Sequence, residues 1–96
     1  MIHLYRLAAQ AELAEAIHWY ASERGVDASM KFEAAVQRAL NLLVLMPELG
    51  TVTFSGVRRW PLKQFPYTLV YRVQGELLTV LAVAHQSREP GYWRGR

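Results

Sequence analysis

The sequence predicts an α+β domain in the order strand, helix, helix, strand, strand, strand, with a helical hairpin laid against a sheet. Three observations predict it. The first residues alternate in the two-residue period of a strand. From Ala8 to Met46 the apolar residues switch to helical spacing, interrupted once at Gly25. From Val57 to His85 alternation returns, punctuated by tight-turn residues. Ninety-six residues make one domain, 1–96, long enough to bury roughly 60–70% of the unfolded surface without covalent staples.

In "MIHLYRL", Ile2 and Leu4 fall on one face and His3 and Tyr5 on the other, the pattern of a strand. The first helix runs from Ala8 to about Arg24. Its stripe is Leu13, Ile17 and Tyr20, flanked by Ala9 and Ala16, while Glu12, Glu15 and Glu23 face elsewhere. Gly25 ends it, because a residue of positive φ costs glycine little. Asp27 or Ser29 is placed to cap a second helix, whose stripe is Phe32, Val36, Ala39, Leu43 and Met46. Its end, "ALNLLVLM", is apolar nearly all round and should be buried on more than one side. Pro47 stops it by disfavouring helical geometry at Met46. So short a link makes the two helices antiparallel neighbours.

"GVRRWPL" is a short basic strand, with Pro61 marking an edge or an end. "YTLVYRV" alternates Leu69, Tyr71 and Val73 against Thr68, Val70 and Arg72. "QGE" turns tightly at Gly75. "LLTVLAVAH" is apolar on both faces, which suits a central strand covered by the helices on one side.

Charge divides the chain. Residues 1–48 carry four bases and six acids; residues 49–96 carry seven bases and two acids. A basic second half suggests an anionic partner, nucleic acid or an acidic protein segment. There is no cysteine, so neither disulfides nor a thiolate metal site is expected, and three scattered histidines do not suggest a metal site. His18, beside Trp19, reads as a helix surface residue. No cofactor motif is present. No apolar run approaches ~18 residues and the first ten lack a leader pattern, so a cytoplasmic protein without membrane contact is expected.

Two stretches carry possible chemistry. In "HQSREPGYWRGR", His85, Arg88 and Tyr92 could supply the base, cation and acid of a metal-free ribonuclease. The spacing alone favours a plainer reading, with His85 bonded to backbone at a strand end and Tyr92 and Trp93 packed over the sheet. In "VRRWPLKQFPY", Arg58, Arg59 and Lys63 interleave with Trp60, Phe65 and Tyr67. Alternation puts Arg58 and Trp60 on one face and Arg59 on the other. Arginine forks and aromatics suit a docking surface, and basic residues also protect an edge strand.

"AELAEAIHWYASERG", "FEAAVQRALNLLVLMPELG", "VRRWPLKQFPYTLVYRV" and "LLTVLAVAHQSREPGYWRGR", in that order, resemble the ParE branch of the RelE/ParE toxins of bacterial type II toxin–antitoxin modules. The most specific pieces are Leu43, Pro47 and Gly50 at the helix end, the run from Arg58 to Tyr71, and the closing Ala82 to Trp93. The resemblance implies a helical hairpin packed on a largely antiparallel sheet. It implies a growth-inhibiting, plasmid-stabilisation-like toxin neutralised by a cognate ParD-like antitoxin with an acidic C-terminal segment. ParE-type toxins are reported to inhibit DNA gyrase; RelE-type toxins cut mRNA on the ribosome. Against RelE this chain has Thr68 where a catalytic arginine is expected and Gln86 near the position of a second, while Arg88 and Tyr92 have counterparts. The expectation is therefore a non-catalytic, gyrase-directed toxin. The runners-up are a metal-independent endoribonuclease using His85, Arg88 and Tyr92, and a stabilisation module whose working partner is its antitoxin. The expected target- or partner-binding residues are Arg58, Arg59, Trp60, Lys63, Arg88, Trp93 and Arg94.

Overall fold

A computed structural model describes all 96 residues. The chain runs β1 (Ile2–Tyr5), α1 (Leu7–Arg24), α2 (Val26–Leu45), a 3₁₀ turn (Pro47–Leu49), β2 (Thr51–Val52), β3 (Arg58–Pro61), β4 (Tyr67–Gln74) and β5 (Leu77–His85). The five strands form one sheet in the order β1-β5-β4-β3-β2. All neighbours are antiparallel except β1 and β5, which run parallel with Ile2 opposite Leu77 and Tyr5 opposite Val80. The two-residue β2 is the outer edge; it is too short to leave a periodic signature, which is why the sequence predicts three strands here and the structure holds four. No helix is long and apolar enough to cross a membrane.

The hairpin turns on a single residue. Gly25, at φ 97° and ψ 163°, closes α1 and opens α2 in a conformation essentially reserved for glycine. Neither Asp27 nor Ser29 caps α2: both lie inside its first turn, where the Ser29 hydroxyl donates to the Val26 carbonyl at 2.7 Å. The helices cover one face of the sheet. Ala9, Ala16 and Tyr20 of α1 and Phe32, Val36, Ala39, Leu40 and Leu43 of α2 are buried there against Leu69, Tyr71, Leu78, Val80 and Val83. Met46, expected on the same stripe, lies past the end of α2 and is exposed. Leu42 and Leu45 are exposed too, so the apolar end of α2 is buried on one side only.

Tyr71 explains the Pro47 and Gly50 spacing. Its hydroxyl, fully buried beneath the 3₁₀ turn, donates to the Pro47 carbonyl at 2.6 Å and accepts from the Gly50 amide at 2.9 Å. A Cβ on residue 50 would stand 2.5 Å from that hydroxyl oxygen, closer than atoms can approach. Arg58 completes the fastening by donating from Nη1 to the Glu48 and Gly50 carbonyls at 3.0 and 2.8 Å.

The other face of the sheet is built differently. A bulge at Val70/Tyr71 places Val80 opposite Tyr71 but Ala82 opposite Val70, leaving Leu81 as the extra residue. Leu81, Ala82, Ala84, Val70 and Val57 then form a small second cluster under Trp93 of the C-terminal tail.

Candidate functional site

The tail after β5 is a chain of turns held onto this second face. Trp93 is buried on it and stacks on Phe54 of the β2–β3 loop, with ring centroids 5.5 Å apart. Phe54 is presented by a tight loop in which Ser55 takes φ 52°. The Thr53 amide donates to the Val57 carbonyl at 2.7 Å, closing that loop.

Glu12 fastens the tail from the opposite side. One carboxylate oxygen accepts from the Val83 amide at 3.0 Å and from Arg96 Nη1 at 2.9 Å. The other accepts from the Tyr92 hydroxyl at 2.8 Å and Arg96 Nη2 at 3.2 Å. Arg96 also reaches the carbonyl of the bulged Leu81 at 3.2 Å. β1 pairs with β5 only as far as Val80, so Glu12 and Arg96 supply the polar partners that a longer first strand would have given Val83 and Leu81. Burial, then the bond to Glu12, pushes the Tyr92 hydroxyl up to about 12. Arg96's own hydrogen bond to Glu12 raises Arg96 above its ordinary value.

His85 ends β5 with its ring edge-on to Tyr67, centroids 5.0 Å apart. The Ser87 amide donates to its Nδ1 at 3.0 Å, and the Ser87 hydroxyl lies 2.8 Å from the same atom. A backbone amide can only donate, so Nδ1 carries the lone pair and a neutral ring keeps its proton on Nε2. A general base needs a free lone pair, and a general acid works best with a pKa near the working pH. Here the His85 lone pair is engaged and the Tyr92 proton is held by a carboxylate.

Between tail, Phe54 and sheet lies a cavity of about 330 Å³. Arg59 reaches it from β3, Arg88 and Arg94 from the tail, and Thr68 and Val70 from β4. The Arg94 guanidinium lies 4.2 Å over the Phe54 ring, and that of Arg88 lies 3.9 Å over the Tyr92 ring. Glu89 is the one acid in its wall. The sole ion pair of the molecule is Arg96 with Glu12, so none of the three cavity arginines has a carboxylate partner.

The structure therefore gathers Arg59, His85, Arg88, Tyr92, Trp93 and Arg94 around one cavity. It separates them from Trp60 and Lys63, which face a groove beside α2, and from Arg58, which is engaged with the Glu48 and Gly50 carbonyls. Trp93 is an internal anchor of the tail, not an exposed one. Glu12, assigned by periodicity to a face away from the core, is half-buried and central. Its one sequence clue is the lack of a basic residue three or four positions away along the helix. Phe54 had no clue, sitting in a loop without periodicity.

A family model described as the ParE toxin of the type II toxin–antitoxin system, parDE, matches residues 4–90. Among solved structures the chain is similar in fold to one titled "Chromosomal ParDE TA system from P. aeruginosa". The TM-score is 0.76 and the identity 22%, over 88% of this chain and 95% of the other. No protein of curated function matches the sequence.

Proposed function

The chain belongs to the ParE toxin family of type II toxin–antitoxin systems, and from that premise we propose that it arrests growth by docking on DNA gyrase without catalysis and is neutralised by a cognate antitoxin. The observation that carries the non-catalytic reading is the engagement of the candidate chemical groups. The His85 Nδ1 accepts from Ser87, and the Tyr92 hydroxyl donates to Glu12 at the start of the fold. Thr68, at the position where RelE carries an arginine, is buried in the sheet. The exposed charges around the cavity are mostly basic: Arg59, Arg88 and Arg94 against the one acid Glu89.

The antitoxin reading rests on a second surface. Leu42, Leu45, Met46 and Leu49 are exposed together around the end of α2, an apolar patch with no internal partner. An antitoxin segment with apolar residues at regular spacing and acidic residues between them would match both this patch and the basic half.

Growth arrest on induction, read beside a gyrase supercoiling assay and a map of mRNA 5′ ends, tests the proposal. The expected result is inhibited supercoiling, no new ribosome-dependent cuts, and arrest that survives His85→Ala but weakens in Arg88→Ala and Arg94→Ala. A general base would lose roughly two to four orders of magnitude on removal. New cuts that vanish in folded His85→Ala would overturn docking in favour of nuclease action.

A further inference from the structure

Three arginines, none of them in an ion pair, surround one cavity that has a single acid, Glu89, in its wall, and folding seats two of the three on aromatic rings. Arg94 lies between the Phe54 ring and the backbone of Gly91, where an added Cβ would stand 2.9 Å from Nε. Gly91 also takes φ 79°, so glycine serves both the turn and the close approach. Arg88 rests on the ring of Tyr92, which Glu12 holds in place. These contacts restrict rotamer freedom that a ligand would otherwise have to remove, which is preorganisation for an anion.

We infer that this cavity binds a compact polyphosphate, either free or as the phosphate chain of a nucleotide, through Arg59, Arg88 and Arg94. The inference goes beyond the toxin's target and does not depend on it.

Charge density selects the class of ligand. The cavity, about 330 Å³, is at the small end of the ligand-site range. A peptide carboxylate brings one negative charge on a bulky backbone. A di- or triphosphate brings several charges into the same few ångströms, and its oxygens suit the planar guanidinium forks. The phosphates supply the main recognition. The faces of the Phe54 and Tyr92 rings are occupied by Trp93 and by the arginines, although Phe54 keeps an exposed edge.

Calorimetric titration of the purified chain at low salt with tripolyphosphate, ATP, adenosine and citrate tests this. Tripolyphosphate should bind in the micromolar range, weaken with added salt, and exceed citrate; adenosine should give no heat. Equal affinity for ATP assigns the site to polyphosphate in general, whereas ATP binding tighter by about tenfold or more assigns it to nucleotides. Arg59→Ala, Arg88→Ala and Arg94→Ala should each cost about tenfold or more, the effect of losing a charge-assisted hydrogen bond. Phe54→Leu, which keeps every charge but removes the Arg94 platform, should cost severalfold. Lys31→Ala, on the exposed side of α2, should change nothing. Circular dichroism establishes folding of each variant, and Arg59→Ala, whose side chain makes no hydrogen bond or ion pair, keeps the test decisive if tail variants unfold. No binding of tripolyphosphate, tighter binding of citrate, or undiminished affinity in folded Arg59→Ala would overturn the inference.

Discussion

The two faces of the sheet are held by different forces. On the helix side, a core of aliphatic and aromatic side chains joins the hairpin to four strands, closed at one end by Tyr20, Phe32, Phe65 and Tyr67 in mutual ring contact. On the tail side, five buried residues lie beneath a segment with no regular structure that adds Trp93 to them, and a single glutamate ties that segment down. Non-directional burial dominates the first face and a few directional bonds the second. The second face can therefore carry a cavity lined with unpaired arginines, because its cover does not depend on close packing everywhere.

The largest break should come from the helix side. Leu43 is fully buried beneath α2. Leu43→Asp places an unpaired carboxylate there, costing several kcal/mol of the roughly 5–15 that hold a domain together. The expected outcome is loss of a cooperative thermal transition by circular dichroism; a melt close to the parent's would refute the face assignment. Gly50→Ala strikes the same face more gently. The added methyl collides with Tyr71, and overpacking of this kind costs about 1–3 kcal/mol, to be read as a lower urea midpoint with unchanged slope.

Glu12→Gln addresses the tail side alone. It keeps an acceptor for the Val83 amide but removes the charge facing Arg96 and Tyr92. A loss of about 1–2 kcal/mol is expected, with faster amide exchange confined to the last turns while the helices stay protected. Equal acceleration in α2 would show that the two faces unfold as one.

The effect confined to the narrowest conditions concerns alkaline pH. Tyr92 is raised from an ordinary 10.0 to about 12 by burial and by Glu12. A raised folded pKa stabilises fully below pH 10 and is lost as pH rises through about 12. Ultraviolet titration should show a late tyrosine that disappears in Tyr92→Phe, and stability should fall over that window more steeply in the parent than in the variant.

The helix side was largely legible in the sequence, because repeated apolar spacing is the record of a continuous buried face. Phe32, Val36, Ala39 and Leu43 were all readable in this way, and the fold class followed. Leu45 and Met46 were misleading because hydrophobicity marks a residue that avoids water, whether its cover is its own chain or a partner. On the tail side the residue types around the cavity could be named, but not their roles. Glu12 meets Val83, Tyr92 and Arg96 across 71, 80 and 84 residues of chain, and no local pattern records such a meeting. Arg58 and Arg59 look alike in sequence. One fastens the Pro47–Gly50 turn and the other opens on the cavity, a difference made by strand alternation together with what each face happens to meet.

The parallel pairing of β1 with β5 has a consequence in time. During synthesis the helical hairpin emerges early and makes its contacts within a short span of chain, whereas β1 must wait for Leu77–Val80 before it has a neighbour. Loops of that length close slowly and at an entropic cost. Arg96 joins Glu12 across 84 residues of chain, so that contact waits longer still. Among the contacts described here, the clasp is thus one of the last that a growing chain can form, and a surface shaped by the clasped tail comes later in synthesis than the hairpin it rests on.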